Sequence, residues 1–483
     1  MNMMETLIGR EREREELKWA LESRRSEFVI MYGRRRVGKT FLVRRFFNDT
    51  YSFHYVGAHK QTKAVQLKNF REALSRYSGN PVPEIKNWHD AFLGLESYLE
   101  TCEEKRKVIF FDEMPWIDTY GSEFVDELEY FWSNWVQNRD DIVFIACGSA
   151  TSWMKEKLED NQGGLHNRIT HRIYLRPFYL NECKAYLDEH GFEWDEYQIL
   201  QCYMVFGGVP YYLSLLKPYM SLPENIDALI FRRGGDLNDE INELYKALFN
   251  KADRYITIVK LLATKREGFS RGEIELKTGY SGGGLSQMLD NLERCDFIVT
   301  YGQFGNKNKQ KLHRLADFYT LFYFRYVDNN HSRDEQYWQH NFTSRSVESW
   351  EGFTFEAVCL RHLAHIKHGL GISGMATEAS SWRYIPKPGD NRKGAQIDLV
   401  IKRADKLIHL VEMKFSEKPY SITKDYAQRL NERKELFMEV AGISRGVVHT
   451  FVTPMGIAQG KHSTILHSQL TTRDLFAALG KNG

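Results

Sequence analysis

Over the first 180 residues, short apolar runs alternate with longer amphipathic stretches. Phe28 to Tyr32 predicts a strand, followed by a helix from Lys39; Val108 to Phe111 predicts a second, followed by a helix over about Phe124 to Val136; Ile142 to Cys147 predicts a third. Such alternation predicts an α/β fold with a parallel, helix-flanked sheet. From about Leu180 to Asn250 the period becomes helical, interrupted by Gly207, Gly208 and Pro210 and by Arg233-Gly234-Gly235, which predicts a small helical lid. From about Lys251 to Val327 three short helical stretches precede a polar, Lys-rich hairpin, the order of a winged helix-turn-helix. The charged stretch Asp328 to Gln339 reads as a connection, and beyond it a helix, a polar loop and an apolar hairpin predict a mixed α/β unit. The expected domains are therefore 1–250, 251–330 and 331–483.

Composition agrees with that division. The 483 residues correspond to about three domains at roughly 150 residues each. With 42% hydrophobic and 27% charged residues, global disorder is excluded. A net charge of +2 provides no chain-wide basic field, so any nucleic-acid site must be a local patch. The six cysteines are isolated from one another, which fits a reducing cytoplasm. No apolar run reaches the roughly 18 residues that span a bilayer, and Met-Asn-Met-Met followed by charged residues lacks the apolar core of a signal peptide. A soluble, cytoplasmic protein with no membrane partner is expected. Aromatic clusters at helical spacing, Phe131, Trp132 and Trp135 and then Phe318, Tyr319, Phe322, Tyr323, Phe324 and Tyr326, read as core or interface anchors.

One motif carries specific chemistry. Gly33-Arg34-Arg35-Arg36-Val37-Gly38-Lys39-Thr40 matches G-x-x-x-x-G-K-[ST] between a predicted strand and a predicted helix that continues through Phe41. Residues 33–41 are thus candidate nucleotide-binding residues. Backbone N–H groups would curl around phosphate oxygens, Lys39 would reach the β and γ phosphates, and Thr40 would ligate Mg2+. About 70 residues on, the strand Lys107 to Phe111 ends in Asp112 and Glu113. Asp112 would hold Mg2+ and Glu113 would polarise the attacking water. Ser149, after the strand Ile142 to Cys147, could sense the γ phosphate or position water; a plain strand-to-helix turn also favours such small residues. Arg168 reads either as an arginine finger for a neighbouring subunit in a homo-oligomer or as a surface arginine.

Leu7-Ile8-Gly9-Arg10-Glu11, the phosphate loop, Asp112-Glu113, Cys147-Gly148-Ser149 and Gly207-Gly208-Val209-Pro210-Tyr211-Tyr212 together resemble the archaeal-type ATPase family of the AAA+/STAND group over about residues 5–250. The resemblance implies ATP as ligand, with Ile8, Gly9 and Arg10 against the adenine and the Gly-Gly-x-Pro segment in the helical lid.

Ser270-Arg271-Gly272-Glu273 is a capping box that opens a short helix ending near Gly279, and Ser281 is the expected cap of a second helix running to about Cys295. That second helix offers Ser286, Gln287, Asn291 and Arg294 as polar contacts, but its first turn is Gly282-Gly283-Gly284 and has little with which to read base edges. Lys307, Lys309 and Lys311 alternate along the following hairpin and would face phosphate together. A solvated wing on a protein-docking module has the same pattern, so DNA and a protein partner both stay open.

The C-terminal hairpin joins Gln396 to Ile401 with Leu407 to Lys414. Period-2 alternation sets Glu412 and Lys414 on one face, with Asp398 on the same face of the adjoining strand in a plausible register. Two such carboxylates can bind a divalent metal, with Lys414 beside the scissile phosphate and Glu356 completing the metal site from a helix. A charged strand edge reads the same way. In context the segment resembles the PD-(D/E)XK nuclease fold over about residues 345–460. That resemblance implies Asp398, Glu412 and Lys414 as a catalytic set, with Gln396 where many relatives carry an acid. The expected function is an ATP- and Mg2+-dependent ATPase that engages DNA through its winged helix and nuclease-like domain. The alternative is a regulatory or signalling ATPase with an inactive nuclease fold, acting through a protein partner.

Overall fold

The computed structural model of the protein describes residues 7–159, 165–305, 311–328, 330, 332, 334–386, 388–390 and 392–480. The chain divides into two compact units, one of residues 1–177 with 294–296 and one of 178–293 with 297–483.

The first unit holds five parallel strands, β1 (Glu27–Tyr32), β2 (Phe53–Val56), β3 (Lys107–Asp112), β4 (Ile142–Gly148) and β5 (His171–Tyr174), in the order β2-β3-β4-β1-β5. Every residue of β1, β3 and β4 is buried, because helices cover both faces of a parallel sheet. One face packs Phe28, Phe53, Phe70, Trp88, Phe92, Phe111 and Phe144 into an aromatic layer; the other packs Val29, Met31, Leu42, Val43, Phe110 and Ile145 against the helices Glu11–Glu22 and Lys39–Phe46. Phe131 and Trp132 lie in the aromatic layer, as their spacing predicts. The pattern does not reveal β2 and β5. Both are four-residue edge strands that alternate buried and less buried positions, so neither leaves a continuous apolar run.

The second unit begins with the helices Leu180–Glu189, Glu196–Phe206, Pro210–Ser214, Leu222–Ile226 and Glu240–Leu248. Next come Ala252–Leu262, Arg271–Thr278 and Gly282–Arg294, with a small antiparallel sheet of β6 (Phe269–Ser270), β7 (Ile298–Tyr301) and β8 (Leu312–Leu315) in the order β6-β8-β7. The capping box forms as its sequence dictates: Ser270 N–H donates to Glu273 Oε2 at 2.7 Å and Glu273 N–H to Ser270 Oγ at 3.3 Å. Gly279, at φ 72°, ends that helix. The aromatics Phe318, Tyr319, Phe322, Phe324 and Tyr326 are buried, and Phe322 and Tyr326 meet Trp338 and Trp350 edge-on. The charged segment before residue 339 is tied down, since Trp338 N–H donates to Asp227 Oδ1 at 2.7 Å.

Five more strands, β9 (Thr377–Tyr384), β10 (Ala395–Arg403), β11 (Ile408–Met413), β12 (Val447–Val452) and β13 (Leu466–Leu470), form a mixed sheet in the order β13-β12-β11-β10-β9. The first three pair antiparallel, and β10 and β11 are the predicted hairpin. β11, β12 and β13 pair parallel. Parallel neighbours need a crossover, which the helix Lys424–Ala441 supplies between β11 and β12.

Candidate nucleotide site and C-terminal carboxylate cluster

The loop after β1 folds tightly because its first residue is glycine. Gly33 sits at φ 149°, and a Cβ there would lie 2.2 Å from the Leu175 carbonyl oxygen. That carbonyl belongs to the chain leaving β5, whose Leu175 N–H bonds Tyr32 O at 2.8 Å. Gly38, at φ 89°, turns the chain into the helix that starts at Lys39. Successive N–H groups and a helix N-terminus thus converge at the C-terminal end of β1, where the strand order switches between β4 and β5.

Lys39 is buried and donates from Nζ to the carbonyl oxygens of Gly33 and Arg34, both at 2.9 Å. Burial holds its pKa below the ordinary lysine value, against the opposing pull of Cys147, Glu113 and Asp112. Thr40 Oγ1 donates to Asp112 Oδ2 at 2.8 Å, and Glu113 N–H to Asp112 Oδ1 at 2.9 Å. Glu113 adopts the left-handed conformation (φ 48°, ψ 43°), which turns the chain sharply after β3. Its Oε2 accepts from Ser149 Oγ at 2.9 Å and from Ser149 N–H at 3.4 Å. Gly148 lets this segment come close: a Cβ there would sit 2.6 Å from Pro115 Cδ.

Arg10 is buried at φ 63° and donates to Val37 O at 3.2 Å, so the segment Ile8, Gly9 and Arg10 reaches the phosphate loop. Arg34 and Val37 are buried and Arg35 and Arg36 half-buried, whereas Phe41 faces outward beneath the Arg45 guanidinium. Arg168 stands apart from this constellation. It precedes β5, whose first residue His171 pairs with Val29, so it lies at the strand end opposite the phosphate loop. The length of β1, six residues or about 17–20 Å, separates the two ends.

In the second unit the β10–β11 pairing begins at Leu399 and Val411, one residue short of Asp398 and Glu412, and β10 is irregular against β9 between Ile397 and Val400. Each carboxylate already has a cationic partner. Arg266 Nη2 donates to Asp398 Oδ2 at 2.6 Å, while its Nε lies 2.8 Å from Glu356 Oε2. Gln396 Nε2 donates to Asp398 Oδ1 at 2.7 Å. Glu412 accepts from Arg433 and, at 3.0 Å, from the Tyr426 hydroxyl. Burial, reinforced by the Asp398 charge, pushes the Glu356 carboxyl up to about 8 despite Arg266. Lys414 bonds through its N–H to Val452 O at 3.0 Å, and its ammonium stands over the Tyr426 ring. Among the described residues no three acidic, His or Cys side chains form a group able to hold a metal ion. Arg266, Arg433 and Tyr426 escape sequence reasoning, since nothing local in the chain couples Arg266 to an acid 132 residues away.

Lys307 and Lys309 lie outside the described residues; Lys311 is exposed just before β8. Gly282, Gly283 and Gly284 are exposed with open space around them, Ser286 and Gln287 are exposed, and Asn291 donates to the Tyr255 hydroxyl at 2.9 Å. No helix among the described residues is long and apolar enough to cross a membrane.

A parallel sheet with a glycine-bounded phosphate loop after its first strand, and an acidic pair after a neighbouring strand, defines a P-loop ATPase domain. Residues 7–216 match the family model of an ATPase domain found predominantly in Archaea, and this part of the chain is an archaeal-type ATPase domain. The chain is also 25% identical over 432 residues to an uncharacterized protein of Methanocaldococcus jannaschii, covering 88% of this chain and 92% of that one. Among solved structures, a Walker-type ATPase of Pyrococcus abyssi is similar over 66% of this chain and 96% of its own, at 19% identity and a TM-score of 0.49. The ORC2 protein of Aeropyrum pernix is similar over 64% and 89%, at 14% identity and a TM-score of 0.41.

Proposed function

We propose that the chain is an Mg2+-dependent, ATP-hydrolysing switch that engages DNA through a winged helix and grips it with a nuclease-like C-terminal domain. The observation that carries this reading is the meeting of Thr40 with Asp112, and of Glu113 with Ser149, beside Lys39 at one end of the sheet. Thr40 and Asp112 fit Mg2+ as ligands; the ion, when bound, neutralises charge on the β and γ phosphates. Lys39 exchanges its two loop carbonyls for phosphate oxygens. Glu113 orients the water and takes its proton, while Ser149 keeps that carboxylate aimed. Arg168, at the opposite strand end, serves a nucleotide only on a neighbouring copy in a homo-oligomer.

The winged-helix reading of 251–330 is supported by three helices closed by the sheet β6-β8-β7. Bare glycines at the start of the third helix permit close backbone approach to DNA, with phosphate contacts left to Lys307, Lys309 and Lys311. The nuclease-like reading of 331–483 is supported by the mixed sheet and by Asp398 and Glu412 lying at the adjoining ends of the paired strands β10 and β11. As arranged, these carboxylates and Glu356 fit guanidinium groups rather than a divalent cation, so no cleavage step is assigned to them. The same pairing favours a second reading, a regulatory ATPase acting through a protein partner with a nuclease fold that does not cut.

The test is DNA affinity against salt concentration, together with cutting of linear, branched and single-stranded DNA with Mg2+ or Mn2+, with and without ATP. Grip predicts salt-dependent binding that weakens when Lys307, Lys309 and Lys311 are replaced, each lysine contributing a slope of about 0.9. Cutting by wild type that is lost in Asp398→Ala would replace grip by cleavage. Binding of a protein partner, with no DNA affinity, would establish the second reading.

A further inference from the structure

A cavity of about 230 Å³ lies in the second unit between the end of the helix Ala252–Leu262, strand β8 and the helix Arg345–Arg361. Four cations line it: Lys265, Arg266, Arg314 and Arg325. Two of them are neutralised by neighbours, Lys265 by Glu273 at 2.8 Å and Arg266 by Asp398 and Glu356. The other two form no close ion pair with a described carboxylate, although the Arg314 charge acts on the buried Glu356 carboxyl. Arg325 reaches the Ser346 hydroxyl, at 3.3 Å, and Tyr326. Arg314 is the more telling, because it is only 9% exposed and its guanidinium makes no hydrogen bond or ion pair with any described residue. No acidic side chain is among the described residues lining the cavity, so its wall presents cations and attracts an anion.

We infer that this cavity is a binding site for a terminal phosphate monoester, held between Arg314 and Arg325. Two guanidinium groups, neither held in a close ion pair with a described carboxylate, suit the roughly two negative charges of a phosphomonoester at neutral pH, and the planar guanidinium pairs bidentately with phosphate oxygens. The remaining wall is apolar and aromatic, with buried Trp350 and the half-exposed ring of Phe353, and suits a ligand carrying a flat ring system next to its phosphate. The chemistry is that of a 5′-mononucleotide, whether free or at the phosphorylated end of a nucleic-acid strand. This inference does not depend on DNA binding by the wing or on cutting at Asp398.

The experiment uses the full chain with its phosphate loop saturated by ADP and Mg2+. Affinities are measured for thymidine 5′-monophosphate against thymidine, and for a short single strand bearing a 5′-phosphate against the same strand with a 5′-hydroxyl. At least a tenfold preference for the phosphorylated member of either pair is expected; preference in the first pair only marks a free mononucleotide, and in the second a strand end. Arg325→Ala, at an exposed position that folding tolerates, should reduce the preference at least fivefold. Arg314→Met should abolish it, with Arg314→Lys retaining part. Equal affinities within both pairs, or an Arg325→Ala protein with undiminished preference, would overturn the inference.

Discussion

Ser149 donates both its hydroxyl and its backbone N–H to one carboxylate oxygen of Glu113, at 2.9 and 3.4 Å. The acid that follows Asp112 is thus oriented from a different strand, and removing the hydroxyl should disturb its aim. Ser149→Ala is expected to lower kcat on the order of tenfold with little change in KM. Glu113→Gln should lower kcat by about 100-fold or more while ATP remains bound. Because both act through one carboxylate, Ser149→Ala should cost nothing further in the Glu113→Gln background; additive losses would separate the two residues.

Lys39 is buried against its own loop, so its loss affects the loop as well as the phosphate it would hold. Lys39→Ala should abolish ATP turnover and weaken ATP binding at least tenfold. Asp112→Asn should impair Mg2+-dependent turnover, since it alters the partner of Thr40. A Lys39→Ala protein with full turnover would remove the phosphate-loop assignment.

Gly33 has no room for a side chain. Gly33→Ala is expected to destabilise the first unit by about 2–4 kcal/mol, through a backbone conformation that favours glycine and a collision with the Leu175 carbonyl. Thermal unfolding and nucleotide binding should both report the loss. Gly272→Ala, at an open position, should leave both unchanged.

Glu351 is buried and accepts from Gln201 Nε2 at 2.7 Å. Burial pushes its pKa up to about 7, and the Glu348 and Glu417 charges add to the rise. A carboxyl raised in the folded state favours folding most below its unfolded pKa, and that contribution is lost as pH climbs through 7. The second unit should therefore lose up to about 3 kcal/mol between pH 4.5 and 8.5 from this group. Glu351→Gln should flatten that part of the pH profile in urea unfolding; an unaltered profile would place the proton elsewhere.

Arg266 neutralises two acids from distant parts of the chain. Arg266→Gln should lower the melting temperature, because it leaves Asp398 without its cation beside buried Glu356. Added Mn2+ should restore part of the loss in the variant and leave wild type unaffected. Absence of any Mn2+ effect in the variant would show that these carboxylates do not accept a metal even when released.

What could be read from the chain was local. Gly33 to Thr40 with its flanking strand and helix, the Asp112-Glu113 strand end, the Ser270–Glu273 capping box and the hairpin around Lys402 each lie within a short window whose spacing dictates its geometry. Edge strands β2 and β5 were not legible, because four residues exposed along one side carry no distinctive apolar run.

The sequence by itself determined which residues could bind a nucleotide, since a phosphate loop is built from consecutive backbone groups and needs only glycine at Gly33 and Gly38. Tertiary structure alone decided what the remaining charges do. The order β2-β3-β4-β1-β5 brings Ser149 to Glu113 and sets Arg168 at the far strand end. In the second unit, folding delivers Arg266 to Asp398 and Arg433 to Glu412, converting a metal-like pattern into paired ions, and sets Arg314 in a cavity wall that no described acidic side chain lines. Charge pairing acts through space over a few ångströms, and a linear pattern contains no distance between residues 132 positions apart.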